Sequence, residues 1–208
     1  MSLTYNPAAV TTASGFFNVT SDGAVQGFYQ DDYAVRSQLR SGIVAPSQTT
    51  ALWGGMAVTA SLPQAGVEAP TLKALLALAT AETNITGFTV WNQALATILN
   101  PSVSNSVPLA GAGNGTLPGG AINFFELGSN AQIWVQCSST VAAALRSGGG
   151  YGAQAVYWDY TNQVLLNAAG GTALPVQVVD VVTNGNAQVV AAGGANWNFS
   201  GYAALIKI

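Results

Sequence analysis

Runs in which apolar and polar residues alternate with a period of two recur along this 208-residue chain, separated by glycine-bearing turns. "AINFFEL" and "AQIWVQC" flank Gly128-Ser129-Asn130. In the second run Ile133, Val135 and Cys137 face one way, and Gln132, Trp134 and Gln136 the other. "AQAVYWDYTNQVLLN" predicts a hairpin, "PVQVVDVVTNGNAQVVA" predicts another turning at Asn184-Gly185, and "YAALIKI" a closing strand. "FFNVTSDGAVQGF" alternates around Asp22-Gly23, while "GGMAVTASL" and "ITGFTVWNQAL" read as single strands. "TLKALLALATAE" fits a short helix or a buried strand, its Ala and Leu content leaning helical. Many short strands with one or two short helices predict a mainly β fold, a sandwich or closed barrel.

Residues 1–15 lack periodicity and read as an arm preceding a single β-rich domain over 16–208. Residues 100–120 read as a long loop with no element of its own. "GFYQDDYAVRSQLRSG", residues 27–42, breaks the period-two pattern and predicts a helix. Asp31 or Asp32 caps it, Val35 and Leu39 form its apolar stripe, Asp32 and Arg36 sit four apart, and Gly42 closes it.

Charge sharpens interest in that segment. Only 6% of the residues are charged, eight acids and five bases, yet Asp31, Asp32, Arg36 and Arg40 fall within ten positions. Globular domains usually carry about 25%, so the surface is built from Ser, Thr, Asn, Gln and Gly, with little to oppose association. That favours a subunit living among other subunits, a homo-oligomer or a lattice neighbour. The net charge of −3 and scattered bases argue against nucleic acid. The longest apolar run, "ALLALATA" at 74–81, falls short of the ~20 residues of a membrane span, and no secretory leader is expected. The sequons at Asn18, Asn84, Asn114 and Asn198 read as by-products of composition.

The absence of His removes the commonest general base and most zinc sites. Cys137, the single cysteine, reads as a small buried hydrophobe. "GGGYGA", 148–153, has a helix before it and a strand after it, the reverse of a dinucleotide fingerprint, and "GAGNG", 111–115, lacks the lysine of a phosphate loop. Glu126 and Asp159 are the conceivable carboxylate pair for glycoside hydrolysis, but Asp159 sits where hairpins favour Asp. Adjacent Asp31 and Asp32 diverge on a helix and make a poor metal site. No catalytic, metal or cofactor residue is assigned, and the expectation is a protein that is not an enzyme.

"GFYQDDYAVRSQLRSGIVAPSQTTALWGGMAV", with "ITGFTVWNQA", "FFELGSNAQIWVQ" and "YAALIKI" following in order, resembles the cement or head-decoration proteins of tailed bacteriophages. The most specific piece is "QDDYAVRSQLRSGI" with the downstream "LWGG"; Tyr33 stands where the family often has Pro. The resemblance implies a jelly-roll-like β domain and a structural role. The protein would be made in the host cytoplasm, bind the outer capsid surface of the virion and bridge neighbouring major capsid protein subunits. Tyr29, Gln30, Asp31, Asp32, Arg36 and Arg40 are the candidate contacts. Two alternatives remain open. One is a carbohydrate-binding or host-attachment module stacking sugars on Trp53, Trp91 or Trp197; the other is a major capsid or tail-tube subunit.

Overall fold

A computed structural model describes residues 24–30, 32–49, 52–61, 74–90, 97–99, 102–104, 121–148, 155–167, 171–191 and 194–208. The fold is mainly β, with a five-stranded closed barrel and further sheets. The barrel comprises β1 (Arg40–Val44), β2 (Ala57–Ser61), β3 (Ala74–Leu78), β4 (Gly87–Val90) and, after a hairpin of β5 (Thr97–Leu99) and β6 (Ser102–Ser104), β7 (Ala121–Glu126). Its order is β1-β3-β2-β4-β7, closing back on β1. β1 and β3 run parallel; every other neighbouring pair is antiparallel.

Alternation sorts the barrel side chains into layers. Val44, Val58, Leu76, Ile122 and Phe124 form one buried cluster with the loop residues Leu52, Trp53 and Met56. Ile43 and Leu75, one position out of step, belong to a separate small cluster with Ala45. Phe88, Val90 and Phe125 point instead into the main core.

Across that core lies a three-stranded sheet of β8 (Gln132–Gln136), β11 (Gln177–Ala191) and β12 (Gly194–Lys207), in the order β11-β12-β8. Ile133, Val135, Val178, Val181, Ala204 and Ile206 meet the barrel's Phe88 and Phe125 there. Val141, Ala142 and Leu145 of helix α2 (Ser139–Gly148) join the same cluster. The hairpin of β9 (Tyr157–Asp159) and β10 (Val164–Leu166) adds Trp158 and Leu165. Trp158 meets Phe88 edge to face, with centroids 5.2 Å apart.

Several expectations hold. β2, β4, β7, β8, the β9–β10 hairpin and the closing strand fall where alternation places them. Cys137 is buried, and desolvation pushes its thiol up to about 12. α2 precedes the 148–153 glycines and β9 follows them.

Four expectations are corrected. The helix over the charged segment is a single turn, α1 (Tyr33–Arg36), because the chain enters the barrel as β1 at Arg40. Gly42 is therefore no helix stop: a Cβ there would meet Leu76 Cγ at 2.6 Å, so glycine lets β1 and β3 approach. Of the two readings left open for "ALLALATA", the buried strand holds: Ala74–Leu78 is β3, hydrogen-bonded on both sides, and that environment overrides its helical composition. Asn184-Gly185 is not a hairpin turn. β11 runs straight through it with register shifts on either side of Gly185, and pairs with β12 out to Ala191–Gly194. Within 100–120, Ser102–Ser104 is the strand β6. The 1–15 arm, the turn at Asp22-Gly23 and "GAGNG" lie outside the described residues.

Candidate interaction surface

The segment singled out by its charge begins as an extra strand-like edge. Gly27 N–H donates to Trp134 O (2.7 Å), Trp134 N–H to Phe28 O (2.8 Å) and Gln30 N–H to Gln132 O (2.9 Å), while Tyr29 bridges Ile133. The outer edge of β8 is thereby covered. Gly27 adopts φ +86°, which favours glycine, where the preceding turn bends onto this edge. Tyr29 is half-buried and packs edge to face on Phe125, at 5.1 Å and 69°. It serves as an anchor beneath the segment, whereas Gln30 is exposed.

The chain then rises into α1. Asp32 is the N-cap: its Oδ1 accepts the Ala34 N–H at 3.0 Å, and its carbonyl accepts from Val35 and Arg36. Such a cap contributes about 1 kcal/mol. Ser37 Oγ donates back to Ala34 O, and Gln38 and Leu39 N–H close the turn onto Val35 and Arg36 carbonyls. Val35 alone in the turn is buried, joining the main core with half-buried Leu39. Everything else points outward: Asp32, Ala34, Arg36, Ser37 and Gln38 are exposed, and Tyr33 is 92% exposed. Asp31 lies outside the described residues.

Arg40 follows at the start of β1. Its Nε lies 3.0 Å from Glu126 Oε1 at the end of β7, with both side chains largely in solvent (61% and 42% exposed). A surface pair like this contributes about 0–1 kcal/mol. The pair spans one side of a cleft of about 430 Å³ walled by Ser37–Arg40 and by Glu126–Ser129. The second wall is the turn that takes the chain from barrel to sheet, using positive φ at Gly128 (+86°) and Asn130 (+60°). "SQLR" and "ELGS", almost ninety residues apart, therefore form one surface.

Two site residues escape sequence reasoning. In sequence Glu126 reads only as an acid for catalysis; its contact with Arg40 is set by β1–β7 pairing, which alternation does not reveal. Tyr33 carries no signal beyond its placement beside a cap, because exposure of an aromatic ring depends on where the turn sits.

The other candidate chemistry separates. Asp159 is occupied by its own turn: Thr161 N–H, Asn162 N–H and the Asn162 side-chain amide donate to it at 2.9, 2.9 and 2.7 Å. Those bonds, the Asn162 side chain first, lower its pKa. Glu126 is tied to Arg40, so the two acids serve different elements. Trp53 is 4% exposed inside the barrel cluster and offers no stacking face. Trp91 lies outside the described residues, and of Trp197 only the backbone, in β12, is described. Among the described residues no three His, Cys, Asp or Glu side chains group as metal ligands, and no helix is long and apolar enough to cross a membrane.

Comparison of the chain with protein-family models, with curated proteins and with solved structures finds no match.

Proposed function

We propose that this protein is a structural component of a virion, binding the outside of an assembled capsid through the α1 knob and reinforcing contacts between major capsid protein subunits. The observation that carries the reading is Tyr33, 92% exposed at the crest of a capped turn and flanked by Asp32 and Arg36. Tyr and Arg are the residues most enriched among binding hot spots, where truncation costs about 2 kcal/mol or more. The resemblance of "QDDYAVRSQLRSGI" to capsid cement proteins names the partner. A surface with few charges elsewhere leaves Asp32, Arg36 and Arg40 to set orientation, since complementary charges contribute more to register and encounter than to affinity. Binding the assembled lattice in preference to free subunits stabilises the shell by mass action.

Co-sedimentation with mature capsids tests this. The wild-type protein is expected to pellet with capsids and not with unassembled capsid protein. Tyr33→Ser is expected to fold normally, and reversal of Asp31, Asp32, Arg36 and Arg40 to fold with only the loss of the Asp32 cap and the Arg40–Glu126 pair; each is expected to reduce occupancy at least about tenfold. Full occupancy by both variants would remove α1 from the contact; no pelleting of the wild type would reject the reading.

A further inference from the structure

A second cleft, of about 230 Å³, opens between the 3-10 turn Glu82–Asn84 and the β9–β10 hairpin. Its walls include Thr80, Glu82, Tyr157, Trp158, Tyr160 and Gly171. Two partly exposed tyrosines, Tyr157 and Tyr160, and one carboxylate around so small a volume is a composition that holds an organic cation: aromatic rings attract positive charge, and the carboxylate matches it.

Charge decides among ligand classes. Glu82 is half-buried, and among the described residues no Lys or Arg pairs with it. Its field reaches the neighbouring phenol: burial first, then the Glu82 charge, pushes Tyr160 up to about 12, so that ring stays neutral. The Tyr160 hydroxyl is buried with no hydrogen-bond partner among the described residues, and supplies no countercharge. An anion is repelled from such a cleft, and a neutral polyol leaves the carboxylate unmatched. An alkylammonium satisfies both features.

The carboxylate is also held in place. Asn84 Oδ1 accepts the Thr80 and Ala81 N–H groups at 3.1 and 3.2 Å, and its amide donates to Thr80 Oγ1 at 2.9 Å. That clamp fixes the turn bearing Glu82, a preorganisation that reduces the cost of binding. A Cβ on Gly171 would lie 2.5 Å from Glu82 Oε1, so the absence of a side chain there leaves the oxygen its position.

We propose that this cleft binds an alkylammonium group, with Glu82 as counterion and the partly exposed Tyr157 and Tyr160 as its aromatic wall, Trp158 lying buried behind them. The group arrives either on a free quaternary amine or on a lysine side chain. The site stands apart from the α1 surface and does not depend on the capsid reading.

Titration of the full chain, followed by amide and indole NMR shifts at constant ionic strength, tests the assignment. The probes are choline, n-butylammonium and 3,3-dimethylbutanol, the neutral isostere of choline. Saturable shifts at residues 80–84 and 157–160 with choline or butylammonium, and none with the alcohol, are expected. Tighter binding of choline points to a free quaternary amine, and tighter binding of butylammonium to a lysine side chain. Glu82→Gln should weaken binding at least tenfold while leaving the spectrum folded, and Gly171→Ala should weaken it by displacing the carboxylate. The assignment is overturned by unchanged affinity in Glu82→Gln, by equal response to the alcohol, or by no saturation with either ammonium up to about 100 mM. Binding of methyl glucoside that survives Glu82→Gln would overturn it in favour of a sugar site.

Discussion

Gln163 shows how much one buried polar side chain holds here. Its Oε1 accepts from Ala57 N–H in the barrel (3.0 Å) and Trp158 Nε1 in the hairpin (3.2 Å), and its amide donates to Tyr160 O (2.9 Å). To reach all three it adopts φ +57°, an uncommon conformation for a residue other than glycine. Gln163→Leu keeps the bulk but strands two buried donors, each costing about 1–3 kcal/mol. We expect a loss of about 2–6 kcal/mol, read as a lower urea midpoint at unchanged slope; a loss under about 1 kcal/mol would mean water replaces the amide. Asp159, in the same turn, ties stability to pH. Its folded pKa is depressed, so its contribution is complete above the ordinary value of 3.8 and is lost as pH falls through the folded value. The stability gap between wild type and Asp159→Asn should therefore stay constant near neutrality and shrink below pH 3.8. A gap that persists in acid would assign the effect to geometry.

Strands, more than residues, explain what was legible beforehand. β8 could be read to the residue because one face is buried and the other is not: Ile133, Val135 and Cys137 against Gln132, Trp134 and Gln136. β3 could not, since its Ala and Leu pattern is set by two flanking strands whose identity lies elsewhere in the chain. Gly185 failed for a related reason. A glycine that looks like a turn is buried in a bulge, where a Cβ would lie 3.1 Å from Ala203 Cβ. The candidate surface was half legible. The Asp32 cap follows from residue type, but Glu126 joins only through barrel closure. The same logic makes β4 vulnerable at Gly87, where a Cβ would collide with the carbonyl of Phe125 across the β4–β7 pair. Gly87→Ala is expected to cost about 2 kcal/mol or more, beyond any propensity effect, and to expose β4 and β7 amides to hydrogen exchange. Protection equal to wild type would show that the barrel relaxes around the methyl group.

In the molecule as a whole, the largest buried cluster among the described residues lies between barrel and sheet. Phe88, Val90 and Phe125 come from the barrel, Ile133, Val135 and Ile206 from the sheet, and Val141 and Leu145 from α2. The barrel keeps a cluster of its own, but its outer residues Phe88, Val90 and Phe125 and the inner face of the sheet bury each other, so unfolding should be a single cooperative event. Far-ultraviolet dichroism and tryptophan fluorescence are expected to trace one coincident urea transition. Two resolved transitions would show that the barrel stands alone.

Unequal protection marks the C-terminal sheet's edges. The β8 edge is covered by residues 27–30, and on β11 the Asp180 carboxylate takes the Val181 N–H at 2.7 Å beside a register shift. No charged residue occurs from Val181 to Ile206, so Asp180 is the acid nearest an otherwise neutral ribbon. Residues 27–30 have a second consequence, which is mechanical. The chain on one side of α1 is hydrogen-bonded to the sheet, and on the other side, as β1, it lies between two barrel strands. A force applied at Tyr33 therefore divides along two paths into two separately bonded layers. A protruding turn tethered in this way resists being pulled from its body, as a rivet does when fastened through two plates.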